Sequence, residues 1–320
     1  MHIHTNTDQL PDFRRAVITI GTFDGVHTGH QKILEQLRQE AVRIGGQTVI
    51  ITFHPHPRKI VKGSATEIRL INTLTEKAEL LSWRGIDHLV VVPFTEAFSR
   101  LTAEQYINDF LLEKFHPHTI IIGYDHQFGQ GRKGDYHLLE DFSRQGNYEL
   151  QEIPVYVLNA ASVSSTRIRE AIGKGDIAMA GELLGYDFFF SGRVVEGNKL
   201  GRTIGYPTAN LEVQDPEKLI PGDGVYAVEL AEEGGPGWEP GETRVLKGMM
   251  NIGMRPTVDG TRHMIEVNIF DFNGDLYGKT LRVFVKKYLR GEQKFAGLDA
   301  LKAQLAKDKE EAMKAMGSGE

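Results

Sequence analysis

Residues 16–30 read Ala16-Val17-Ile18-Thr19-Ile20-Gly21-Thr22-Phe23-Asp24-Gly25-Val26-His27-Thr28-Gly29-His30. The opening run is apolar, rich in β-branched residues and stopped by glycine, which predicts a buried strand entering a tight turn. Beyond the turn, Ile33, Leu34, Leu37, Ala41 and Val42 recur at helical spacing. Strand, turn and amphipathic helix in this order open a parallel α/β sheet, because parallel neighbours need a crossover between them.

Working outward, Thr48 to Phe53, Leu89 to Val92 and Thr119 to Ile122 read as further buried strands, and Ala103, Tyr106, Ile107, Phe110 and Leu111 mark a second helical face. The first half is therefore expected to be a doubly wound parallel α/β domain. After Gly185 the pattern changes to β segments separated by Gly and Pro: Phe188 to Val195, Val225 to Leu230, Arg244 to Met250, His263 to Phe270 and Leu281 to Val285. That succession predicts a closed or nearly closed antiparallel barrel. The stretch Glu233 to Glu242 reads as an exposed hairpin loop. A terminal helix is expected from about Leu298 to Met316, with Leu298, Leu301, Leu305 and Ala312 on one side. The boundary falls near Tyr186, dividing the chain into residues 1–186 and 187–320.

The chain has 320 residues, long enough for two domains with a core each. Its 40% hydrophobic and 25% charged residues are ordinary for a globular protein. A formal net charge of -6 argues against broad binding of nucleic-acid backbone but leaves room for a local cleft that holds phosphates. With no cysteine there is neither a disulfide nor a thiolate metal site. The N-terminus lacks a basic start followed by an apolar stretch, and no apolar run approaches membrane-spanning length. The expectation is a cytoplasmic protein with small-molecule substrates and neither nucleic acid nor membrane as partner.

The Gly21 to His30 turn lies where open parallel sheets take their ligands, at the end of a strand. Its glycines let backbone approach a phosphate, and the following helix directs free N–H groups and its positive dipole end at that phosphate. His27 and His30 share one side of the helix start. Two imidazoles there could donate to the charge that builds as an α-phosphate is attacked and pyrophosphate leaves. Zinc binding with His54 and His56 is the rival, although the His-Glu-x-x-His spacing is missing. A plain helix cap or core histidine is the other alternative.

This turn resembles the His-x-Gly-His signature of the nucleotidylyltransferase superfamily. Two further segments, Gly123-Tyr124-Asp125-His126-Gln127-Phe128-Gly129 and Val163-Ser164-Ser165-Thr166-Arg167-Ile168-Arg169, resemble bacterial FAD synthetases in order and separation. The resemblance implies ATP contacts from Gly21, Phe23, Asp24, Gly29, Ser164, Ser165, Thr166 and Arg167, and flavin contacts from Asp125 and Phe128. Hydroxyls and N–H groups at a helix start with an adjacent arginine fork suit phosphate oxygens; an N-cap followed by a surface charge is the plainer alternative. Relatives often carry Asn in place of Thr22 and Phe-Arg in place of His126 and Gln127.

A second long match runs from Gly192 through Gly197-Asn198-Lys199-Leu200-Gly201-Arg202-Thr203-Ile204-Gly205-Tyr206-Pro207-Thr208-Ala209-Asn210 and resembles riboflavin kinases. Gly197, Gly201 and Gly205 with Lys199, Arg202 and Pro207 make a turn suited to ATP, while Thr208 and Asn210 offer hard oxygens suited to Mg²⁺. In His263 to Phe270, alternation puts Ile265, Val267 and Ile269 on one face and Glu266 with Asn268 on the other. By resemblance Glu266 is the base towards the ribityl 5′-hydroxyl, and Arg290 and Phe295 are flavin contacts; from spacing alone Glu266 is an ordinary exposed strand residue. Together the resemblances identify the chain as a member of the bacterial bifunctional riboflavin kinase/FAD synthetase family. They imply conversion of riboflavin to FMN and of FMN to FAD, with ATP and Mg²⁺. The alternatives are another nucleotidylyltransferase joined to an acceptor-binding barrel, and a flavin-binding protein that has lost its chemistry.

Overall fold

The computed structural model describes residues 1–61, 68–123, 126–146, 148–153, 163–197, 201, 204–233, 245–257 and 260–317, side chains at 255–257 and 260–262 excepted. The Gly-Pro stretch after Glu233 therefore lies outside the described residues. By packing, the chain divides into two compact units, Met1–Ser165 and Thr166–Glu320.

In the first unit, strands β1 (His2–His4), β2 (Val17–Ile20), β3 (Thr48–His54), β4 (His88–Pro93), β5 (Thr119–Gly123) and β6 (Glu149–Ile153) form one sheet in the order β1-β4-β3-β2-β5-β6. Every pairing is parallel. β2 is buried along its length, as a central strand covered on both faces must be. The chain leaves β2 for β3 on one side, while β5 pairs on the other, so the loop after β2 opens at the reversal of strand order.

Helix α1 (Thr28–Ile44) buries Leu34, Leu37 and Ala41, but Val42 is 83% exposed and Glu40 takes the inward place. Glu40 is tolerated there because Arg43 Nε donates at 2.7 Å and Thr119 Oγ1 at 3.1 Å, which pull its carboxyl down to about 2. The second helical pattern is also present, with a π-helical segment Tyr106–Leu112 at its centre; Ala103, Tyr106, Ile107, Phe110 and Leu111 are all buried.

In the second unit, β7 (Phe189–Val195), β8 (Ala209–Glu212), β9 (Gly224–Glu232), β10 (Leu246–Thr257), β11 (Gly260–Ile269) and β12 (Thr280–Arg290) close a barrel in the order β10-β11-β8-β7-β12-β9. All of its pairings are antiparallel. The terminal helix Leu298–Ala315 packs on β9, β10 and β12. Leu298 is 58% exposed rather than packed; Ala312, Leu305, Met313 and Met316 make the contact.

The sequence boundary near Tyr186 marks where the barrel strands begin. The packing division lies earlier because the helix Ile177–Leu184 rests on β12 and buries Ile177, Ala180, Leu183 and Leu184 within the second unit.

Candidate active sites

The loop joining β2 to α1 is held in a conformation that L-residues rarely adopt. Phe23 and Val26 have φ of 46° and 36°, and a β-branched residue in that region is strained. Several bonds fix it. Asp24, almost fully buried, accepts the backbone N–H groups of Ile71 and Asn72 on Oδ1 at 3.0 and 3.3 Å. Lys77 Nζ donates to the Thr22 carbonyl at 2.7 Å, and Thr52 Oγ1 donates to the same carbonyl at 3.2 Å. Ser165 Oγ donates to the Asp24 carbonyl at 2.9 Å, which ties the last residue of this unit to the loop.

His27 caps α1: its Nδ1 accepts the His30 N–H at 3.3 Å. In the neutral ring the proton then sits on Nε2 and can be donated outward. The two imidazoles stack, with centroids 3.6 Å apart and planes 15° from parallel. Burial pushes His27 down to about 4 against the pull of the Asp24 carboxylate. His30 is held well below its ordinary value, first by burial and then by His27 and Lys77. Its Nδ1 is enclosed and has no hydrogen-bond partner among the described residues. Two neutral donors thus stand side by side where the sheet opens. The cap reading of His27 holds, and it leaves Nε2 available for the phosphate reading, since the capping nitrogen is Nδ1.

Of the histidines in the zinc alternative, His56 caps the short helix Pro57–Ile60, its Nδ1 accepting the Arg58 N–H at 3.2 Å. Among the described residues no group of three or more His, Asp or Glu is arranged to hold a metal ion.

Of the other predicted positions, Gly21 and Gly29 flank the loop, with Gly29 buried in the first turn of α1. Ser164, Thr166 and Arg167 lie at the start of the helix Ser165–Gly173. Asp125 lies outside the described residues. Phe128 is 6% exposed and stacks on Tyr106 at 5.0 Å, part of the core of its unit.

In the barrel, Gly201 closes a turn by accepting the Tyr206 N–H at 2.9 Å, with Gly205 at φ 84° inside it. This turn delivers Pro207 and Thr208 to the start of β8. Asn268 Nδ2 donates to the Pro207 carbonyl at 2.7 Å and fixes that approach. Asn210 is 5% exposed, and its Oδ1 has no partner among the described residues. A Cβ at Gly197 would collide with the Asn210 amide, which would have to move. Glu266 on β11 lies directly between Asn210 on β8 and Asn251 on β10. Lys199 and Arg202 lie outside the described residues.

Arg290 Nε and Nη2 donate to the Asp308 carboxylate at 2.9 and 2.7 Å, and the guanidinium stands 5.7 Å from the Phe295 ring centroid. The two predicted flavin contacts of the barrel are therefore neighbours, tied to the terminal helix. Lys77 and Asp308 are not singled out by the sequence, since a lysine or aspartate in an amphipathic helix ordinarily signals a solvated face, and Asn268 shows there only as a polar-face neighbour of Glu266.

The family model of FAD synthetase matches residues 10–167, and that of riboflavin kinase matches residues 184–316. The bifunctional riboflavin kinase/FMN adenylyltransferase of Escherichia coli (strain K12) is 39% identical over 303 residues, 95% of this chain and 93% of that protein. The protein of the same name from Listeria monocytogenes is 35% identical and spans 97% of this chain and 95% of its own. A crystal structure named as a macrolide-efflux protein from Streptococcus pneumoniae superposes with a TM-score of 0.83 at 31% identity, covering 97% of each chain. The efflux in that name is said of that protein alone. Among the described residues of this chain no helix is long and apolar enough to cross a membrane.

Proposed function

The chain belongs to the bifunctional riboflavin kinase/FMN adenylyltransferase family, and we propose that its two reactions are carried by the two loops described above, one in each unit. It phosphorylates riboflavin with ATP to FMN, then adenylylates FMN with ATP to FAD and pyrophosphate. The residue assignment in the first unit rests on the stacked His27–His30 pair, fixed on a strained loop at the end of β2.

In adenylyl transfer, the FMN phosphate attacks the α-phosphate of ATP. His27 donates from Nε2, and His30 from the ring nitrogen that carries its proton, to oxygens gaining charge as pyrophosphate departs. Neither needs to lose a proton. Gly21, Phe23, Asp24 and Gly29 shape the loop, and Ser164, Ser165, Thr166 and Arg167 supply N–H, hydroxyl and guanidinium donors for the outer phosphates. Asp125 and Phe128 serve the flavin side.

In the barrel, Glu266 accepts the proton of the ribityl 5′-hydroxyl while Gly197, Lys199, Gly201, Arg202, Gly205 and Pro207 hold ATP. Thr208 and Asn210 suit Mg²⁺, since a hydroxyl and the buried Asn210 Oδ1, without a partner among the described residues, are hard oxygen donors. When bound there, the ion offsets negative charge on the transferring phosphate. Arg290 and Phe295 bound the flavin end of this site. The activities divide between residues 1–186 and 187–320, and the enzyme works in the cytoplasm on small molecules, with neither nucleic acid nor membrane as partner.

Incubating the purified chain with riboflavin and ATP, with Mg²⁺ or with a chelator, and separating the flavins tests the reading. FMN and FAD both appear with Mg²⁺ and neither with the chelator. Undiminished turnover in chelator would contradict the Mg²⁺ assignment.

A further inference from the structure

Lys77 belongs to none of the motifs quoted above. It sits in the helix Leu74–Trp83, where a lysine normally reaches solvent, yet it is only 7% exposed. Its ammonium is aimed at the Thr22 carbonyl, 2.7 Å away, inside the strained turn. The residue before this helix, Thr73, forms a capping box with Glu76, which fixes the helix start. Asp24 grips Ile71 and Asn72 just upstream. The turn and the helix are thus joined at two points, carboxylate to backbone N–H and ammonium to backbone carbonyl.

A buried ammonium costs several kcal/mol unless it is compensated. Here its charge is felt by two neighbours: the Asp24 carboxylate, which favours it, and the His30 ring, which it disfavours in the protonated form. The groups facing His30 are His27 and Phe23 on the loop and Lys77 on the helix.

We propose that Lys77 is a positioning residue for FMN adenylylation: it pins the Thr22 carbonyl so that the loop keeps His27 and His30 stacked. Its charge adds to burial and to His27 in disfavouring a protonated His30. This rests on the assignment of the Gly21–His30 loop to adenylyl transfer. A lysine that only filled the core would do neither, and an apolar side chain would serve as well. Burial drives Lys77 down to about 8, with Asp24 opposing, so its charge is retained at neutral pH.

The test uses the full chain carrying Lys77→Met, Lys77→Gln or His30→Ala, with riboflavin phosphorylation on the same preparation as the control for folding. Lys77→Met is expected to lower kcat for FMN adenylylation about a hundredfold, the usual cost of misplacing catalytic groups. The His30 imidazole, followed by NMR, is expected to titrate at higher pH once the charge is gone. Lys77→Gln keeps a donor to Thr22 without the charge. It should recover part of kcat while leaving the His30 titration raised, and it is read alone should Lys77→Met fail to fold. An unchanged kcat with an unmoved His30 titration in Lys77→Gln overturns the proposal. If His30→Ala is also unimpaired, the site assignment falls with it; if His30→Ala is impaired, only the role of Lys77 falls.

Discussion

Glu266 and Asn210 are direct cross-strand partners on β11 and β8, flanked by the pairs Ile265–Leu211 and Val267–Ala209. Cβ atoms in such pairs stand about 5 Å apart, so the candidate base and the candidate Mg²⁺ donor are spaced by the ladder itself and not by a loop. Ile265 and Val267 are buried on the opposite face, which locks the register: a slip of one residue would turn Glu266 into the apolar layer.

Asn268 stands two residues on from Glu266, on the same face, and donates to the Pro207 carbonyl at 2.7 Å. Asn268→Leu should therefore loosen Thr208 and leave the exposed Pro207 carbonyl to water, at a cost of about 0.5–1.5 kcal/mol. Riboflavin phosphorylation should fall more than stability alone explains, with FMN adenylylation preserved. A chemical-denaturation curve together with both rates checks this; normal kinase turnover in the variant would show that the contact is not needed to place Thr208.

Acid should weaken the first unit through its histidines. His27 moves from an ordinary 6.5 down to about 4 on folding, so between these values the unfolded chain binds a proton that the folded site refuses. Its contribution is intact above pH 6.5 and lost as pH falls towards 4, about 3 kcal/mol for this one residue. His30, shifted in the same direction, adds to it. Denaturation at about pH 7.5 and about pH 5 should show a smaller acid penalty in His27→Gln than in the parent. Equal penalties in the two proteins would remove His27 from the explanation.

The helix Ile177–Leu184 lies before the sequence boundary but packs with the barrel. Truncation at Asp187 removes Ile177, Leu183 and Leu184, each worth about 1.5–3 kcal/mol when buried. A fragment Thr166–Glu320 should melt well above Asp187–Glu320 and keep riboflavin phosphorylation without FAD synthesis. Matching melting temperatures would mean that the helices add nothing to the barrel.

The long elements were legible because their patterns are redundant. β2 to β5 are continuous buried runs, and the barrel strands after Phe188 alternate between turn residues. β1, β6 and β8 were missed because each is short and lacks that signal: His-Ile-His, Glu-Leu-Gln-Glu-Ile and Ala-Asn-Leu-Glu carry few apolar residues. Val42 and Leu298 were misplaced because periodicity alone cannot see that Glu40 is neutralised by Arg43, or that Asp308 turns inward to meet Arg290. The glycine turns, His27, His30 and Asn210 stood out by residue type and position, whereas Glu266 rests on the resemblance alone. Lys77 carries no such signal and Asn268 shows only as a polar-face neighbour of Glu266, since their contacts are to carbonyls, Thr22 and Pro207, that are distant in the chain.

The central claim is that one chain holds two separable sites. The most direct test is to measure riboflavin to FMN and FMN to FAD separately on single preparations of the parent, Glu266→Gln and His30→Ala. Glu266→Gln should slow the kinase about a hundredfold to ten-thousandfold, since a base is lost while shape is kept, and leave FMN adenylylation near normal. His30→Ala should do the reverse, slowing adenylylation about a hundredfold to a thousandfold with the kinase intact. Both rates falling together in either folded variant, or the targeted rate staying normal, would contradict the account.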